Sequence, residues 1–197
     1  MGEYIRVLGT LRRKASLDSI RAFLADEKFG ATCEIENPDA DGDWKSLIIK
    51  KGDTELAELD FDPIMETGTA KDEIVELSAT IDEMEPEGNR LWAKEFLRKV
   101  NVVYCFRLLT GAHAGNAYDT IYALHGAIWN IVGGIWQSDM GEISNEDGAV
   151  ILVDYDEQSS SLAFLKGKLV ALSNDGGWNA KELTGRADFK KFKRGTF

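Results

Sequence analysis

Two cysteines and two histidines are the whole supply, in 197 residues, of the side chains most used for redox and transition-metal chemistry. Cys33 and Cys105 lie far apart, with no Cys-x-x-Cys pair and no histidine beside either, so a zinc site, a thiol redox centre and a disulfide framework all lack a basis. Free, packed thiols suit a reducing compartment, and a cytoplasmic location is the expectation. His113 and His125 do not form the one-turn pair that a helical metal site needs. No metal and no cofactor is expected. Also missing are a Gly-x-Ser-x-Gly elbow, a cysteine beside a histidine, and paired carboxylates set against an apolar wall. A non-catalytic protein is the reading that remains.

Positive charge is scarce as well. The net charge is −11, and residues 34–87 alone carry −14. Such a field repels nucleic acid and anionic lipid, so neither is an expected partner, and it favours a basic protein. No run is long and apolar enough for a membrane span: the uncharged stretch 120–138 is broken by His125, Asn130 and Gly133-Gly134. No signal peptide opens the chain, and Arg6 stands where a myristoylation motif needs Ser or Thr.

What is present begins with that uncharged stretch. At helical spacing Ile121, Leu124, Ile128 and Ile131 form an aliphatic stripe, Tyr118, Tyr122, His125 and Trp129 an aromatic one, and Ala123, Gly126, Ala127 and Asn130 a small side. A helix apolar or small on nearly every side predicts a buried central element. Its aromatic stripe, with His113 in the preceding loop, either fills the core or lines a pocket for an apolar or planar ligand. His113, Tyr118, Tyr122, His125 and Trp129 are therefore candidate ligand-binding residues. The passage 109–116 has glycines before a helix start, as an anion cradle does, but it lacks the P-loop lysine, and Asp119 already places a carboxylate in the first turn. A capped turn at Asn116 is the simpler reading.

Alternation predicts strands over 3–11, 31–37, 44–50 and 54–61, the last two joined by a hairpin at Lys51-Gly52-Asp53. Ser16 reads as the cap of a helix running to Asp26. Helical spacing returns at Ile74, Leu77, Ile81 and Met84 and at Leu91, Trp92 and Phe96. Strand patterns follow at 100–109, 134–137 and 149–155. A β-α-β-β order thus occurs at 3–51 and again at 100–156. The expectation is an α+β fold with a single mixed, mostly antiparallel sheet and helices on one face, resembling a duplicated ferredoxin-like plait. Residues 1–156 form the expected domain. Residues 157–197 form an extension packed on it, with a hairpin at Lys166-Gly167-Lys168 or a helix capped within Ser159-Ser160-Ser161.

The acids suggest where a basic partner would sit. Asn37-Pro38-Asp39-Ala40-Asp41-Gly42-Asp43 spaces its oxygens like the first half of a calcium loop, but Ile48 stands where the bidentate glutamate belongs, so it reads as an acidic turn. Asp39, Asp41, Asp43, Glu55 and Glu58 are the candidate partner-binding residues. The end of the chain, RADFKKFKRGTF (186–197), is a basic tail interleaved with phenylalanines, and the acidic body is its nearest complementary surface. Three functions compete for these features. One is an acidic module for a basic protein partner. The second is a small-molecule protein or enzyme built on the aromatic stripe. The third is a homo-oligomer subunit closed through Trp92, Trp136 or Trp178.

Overall fold

The strand nearest the start of the chain lies in the middle of the sheet, and the rest of the fold is arranged around it. A computed structural model describes residues 3–65, 68–138 and 141–154. The elements are β1 (Tyr4–Gly9), α1 (Leu17–Leu24), β2 (Thr32–Pro38), β3 (Trp44–Lys51), β4 (Thr54–Pro63), α2 (Thr69–Thr80), α3 (Arg90–Leu97), β5 (Val102–Leu108), α4 (Ala117–Val132), β6 (Ile135–Gln137), β7 (Ile143–Ser144) and β8 (Val150–Leu152). They form one 8-stranded sheet in the order β2-β3-β4-β5-β1-β6-β7-β8. Every neighbouring pair is antiparallel. The expected α+β class, with one mostly antiparallel sheet, is what the chain adopts.

Local chemistry sets the boundaries. Ser16 accepts a hydrogen bond from the Ser19 amide at 3.1 Å and starts α1. Gly52, at φ 58°, turns β3 into β4. After α4, Gly133 (φ 63°) and Gly134 (φ 92°) stop the helix in conformations that other residues rarely take. A Cβ at Gly134 would run into the Leu8 carbonyl, so the bare backbone there is what lets β6 lie against β1.

Each face of the sheet has its own core. On the first face Ile5, Val7, Trp44, Leu47, Ile49, Leu59, Tyr104 and Phe106 meet Ile20 and Leu24 of α1 and Ile121, Leu124, Ile128 and Val132 of α4. On the second face Leu8, Val103, Ile135, Ile143 and Leu152 meet Ala70 and Leu77 of α2 and Ala93, Phe96 and Leu97 of α3. The helices therefore divide between the faces, and the expected one-face cover holds only for α1 and α4. The reason lies in the strands: in β1 and β5 both parities are apolar at one end, Leu8 and Val103 on one side, Val7 and Tyr104 on the other.

Two further expectations change. The β1-α1-β2 connection passes over β3, β4 and β5, whereas β5-α4-β6 straddles β1 alone. The halves share an order of elements but not a strand arrangement, and the duplicated plait is not seen. Helix α4 is also not enclosed all round. Ala117, Thr120, Ile121, Leu124, His125, Ile128 and Val132 are buried, while Ala123, Gly126 and Ala127 are half-buried and Asn130 is exposed. The extension 157–197, with its hairpin or helix alternatives, its basic tail and Trp178, lies outside the described residues. No described helix is long and apolar enough to cross a membrane.

Candidate functional site

The aromatic stripe of α4 forms a ladder along the helix. His113 and Tyr118 ring centroids are 6.0 Å apart, Tyr118 and Tyr122 stack at 5.0 Å, and Tyr122 is 6.1 Å from His125. Only the His125 end of this ladder is deep. His125 is 3% exposed, sits 5.7 Å from the Phe106 ring, and places Nε2 3.1 Å from the Arg6 carbonyl oxygen. A carbonyl only accepts, so Nε2 carries the proton, and Nδ1 is left without a hydrogen-bond partner among the described residues. Burial pushes the pKa of His125 down to about 4, against a smaller upward pull from the Arg6 carbonyl. The ring is a neutral pin between α4 and β1 at ordinary pH. His113 is exposed at the other end, 3.3 Å from Glu3. Trp129 donates to the Gly134 carbonyl at 2.8 Å and packs toward Gly148 in the β7-β8 turn. The structure thus strings the five residues along one helix and its entry loop rather than converging them on one point.

The glycine-bearing loop before α4 is a short 3₁₀ turn, Thr110–His113. Asn116 holds the cap position, but no capping bond comes from its side chain; instead its Oδ1 accepts from Lys51 Nζ at 2.9 Å.

In the acidic loop Asp39 Oδ1 accepts from the amides of Asp41 (3.0 Å) and Asp43 (2.9 Å), closing the turn. Lys14 Nζ lies 3.0 Å from Asp39 and 2.9 Å from Asp43, and 5.1 Å from the Trp44 ring centroid. The hydrogen bond from Lys14 holds both carboxyls below the usual carboxylate range. Of the three aspartates only Asp41 has no cation beside it among the described residues. Glu55 is 3.7 Å from Lys50, and Glu58 is gripped by Arg107, with Nε at 2.6 Å. Four of the five acids singled out in the sequence are therefore paired within the protein.

A denser group of acids lies on the second face of the sheet over β2, β3 and β4. Cross-strand partners there run Glu34–Ile48–Glu58–Arg107 in one row and Ser46–Asp60–Cys105–Arg6 in the next. The buried Ser46 hydroxyl is 3.2 Å from Glu36 and 3.4 Å from Glu58, and it also hydrogen-bonds Asp60. The single hydroxyl proton can satisfy only one of these carboxylates at a time. Burial, then the neighbouring Asp62 and Glu36, raises the Asp60 pKa above the usual range, partly offset by Ser46 and Lys45. Asp62 has Lys45 at 3.6 Å and Glu34 has Lys50 at 2.7 Å. No lysine or arginine pairs with Glu36 or Asp60 among the described residues. Cys105 in the same row is a buried thiol whose pKa burial raises to about 12, which makes it a poor nucleophile.

Glu36, Ser46, Asp60 and Asp62 were not picked out in the sequence. Period-two spacing of Glu58, Asp60 and Asp62 along one strand was the available signal. An open concavity of about 340 Å³ is lined by Asn89, Trp92, Asn145, Glu146, Asp147 and Ile151, none of them a residue of the aromatic ladder. Trp92 is 38% exposed and stacks on Phe96 at 5.2 Å, whereas Trp136 is half-buried. Among the described residues no three histidine, cysteine or acidic side chains are arranged to hold a metal ion. The chain matches no protein-family model, no curated protein and no solved structure.

Proposed function

We propose that the protein is a non-catalytic binding module that takes a basic segment of a protein partner on the open, acidic half of its sheet. The observation that supports this reading is the crowding of Glu36, Glu58 and Asp60 around the single Ser46 hydroxyl, with Asp62 adjacent. Like charges held this close repel, and partial burial weakens the screening that water would give. A lysine or arginine laid across the rows relieves that repulsion, so part of the binding free energy is already stored in the free protein. A cytoplasmic setting suits the two unpaired, buried thiols.

Electrostatic recognition of this kind speeds association and weakens as salt is raised. The test uses a labelled 12-residue lysine-rich peptide titrated into the full chain at about 50 and 300 mM salt. The expected result is an affinity lower by about tenfold or more at the higher salt, and a comparable loss in a Glu36→Gln/Asp62→Asn variant at low salt. Binding that ignores both the salt and the two substitutions overturns the reading.

A further inference from the structure

We infer that the chain supplies an occupant for its own acidic sheet face: residues 186–197 dock across β2, β3 and β4. This rests on the preceding reading of that face as a surface for basic chain, and adds that an outside partner must displace the protein's own tail.

Charge complementarity is the first argument. The tail carries Arg186, Lys190, Lys191, Lys193 and Arg194 against a single acid, Asp188. The face carries Glu34, Glu36, Glu58, Asp60 and Asp62, and its own cations Lys45, Lys50 and Arg107 are each already engaged with Asp62, Glu34 or Glu58. Among the described residues Glu36 and Asp60 have no lysine or arginine at ion-pair distance, although Lys45 acts on Asp60 from further off, and both lie beside the Ser46 hydroxyl. The tail brings the groups that this cluster lacks. Between the basic residues stand Phe189 and Phe192, and the face offers Ile48, half-buried between Glu34 and Glu58 in the same row, as an apolar step.

Reach is the second argument. The last described strand, β8, lies at the sheet edge opposite β2. Six strand spacings separate β8 from β3, roughly 29 Å at about 4.8 Å each. Residues 155–185 have a contour of roughly 100 Å at about 3.3 Å per residue, several times the span. Tethering also holds the segment at an effective concentration in the millimolar range, so contacts too weak for a free peptide are populated within one molecule.

Carbodiimide coupling, which joins a lysine directly to a carboxylate in contact with it, tests this on the unmodified full chain, mapped by mass spectrometry. Mixing isotopically light and heavy protein separates links within a molecule from links between copies. The expected result is intramolecular links from Lys190, Lys191 or Lys193 to Glu34, Glu36, Asp60 or Asp62, with a yield at least fivefold lower in 0.5 M salt. Reversing the tail charges (Lys190→Glu, Lys191→Glu, Lys193→Glu, Arg194→Glu) should abolish these links and tighten binding of the lysine-rich peptide about tenfold. Tail links that fall elsewhere, for instance on Glu146 and Asp147, or that join only separate copies, overturn the inference. So does an absence of links while the peptide still binds the face, and that result leaves the binding reading standing. If neither tail nor peptide reaches the face, both fail.

Discussion

The second face of the sheet is two surfaces on the same strands. Around Leu8, Val103 and Ile135 it is apolar and covered by α2 and α3; one residue pair further along, at Arg6, Cys105, Asp60 and Ser46, it becomes polar and charged. A strand has no preference of its own for either state. The side chains that form the core under a helix are apolar because burial removes them from water, while the polar ones further along find charged partners, Arg6 with Glu73 of α2 at 3.4 Å and Glu58 with Arg107 across the strands. On the proposed reading, stability and recognition fall to adjacent regions, and substitutions can separate them.

The largest effect belongs to the covered region. Phe96 on α3 is 2% exposed within the second core, and Phe96→Ala should lower unfolding free energy by about 3–5 kcal/mol, read from urea melts. A loss under 1 kcal/mol would mean that α3 contributes little and that the two surfaces do not differ in the way described.

His125 sharpens the contrast from the first face. Its pKa is about 4 in the fold against 6.5 for an exposed histidine, so between those values the unfolded chain binds the extra proton. Its contribution is therefore complete above about pH 6.5 and declines as the pH falls toward 4. Between pH 7.5 and 5.0 the protein should lose about 2 kcal/mol that a His125→Gln variant does not lose, measured as the difference between their urea midpoints at the two pH values. Parallel pH profiles would show that the ring is hydrated and not a core element.

On the charged region the expected effects are small. Arg107 is exposed beside Glu58, and Arg107→Met should cost no more than about 1 kcal/mol while changing peptide affinity measurably. Asp60→Asn reverses the usual sign. Because its carboxyl is held above the ordinary range, its charged form opposes folding near neutral pH, and that opposition grows as pH rises through the folded-state pKa. The variant's urea midpoint at pH 7 should match or slightly exceed that of the wild type. A marked fall would show that Asp60 holds the sheet together and is not a crowded surface acid.

The sequence carried the elements better than their neighbours. Ser16, Gly52 and the Gly133-Gly134 pair mark ends that the structure keeps, because caps and positive-φ turns are decided by a few adjacent residues. The strand order was not legible, since nothing local says that β1 separates β5 from β6. The very short β7 carries no periodic signal. Charge misled for the same reason. Asp39, Asp41 and Asp43 stand out as a run, yet Lys14, distant in sequence, neutralises two of them. Glu36, Asp60 and Ser46 come from three strands and meet only once the register is known. For His125 the apolar helix left core and pocket both open, and its burial, like its missing second hydrogen bond, depends on Phe106 and Arg6 from distant strands.

The central position of β1 has a temporal consequence. Tyr4 pairs with Arg107 and Arg6 with Gln137, so a ribosome must deliver most of the described chain before the first strand has either of its neighbours. The β2-β3-β4 meander can assemble earlier from nearby segments, while the middle of the sheet waits on distant loop closures. During that interval Ile5, Val7 and Leu8 are unshielded, and a nascent chain stalled there is the form most exposed to aggregation or to chaperone capture.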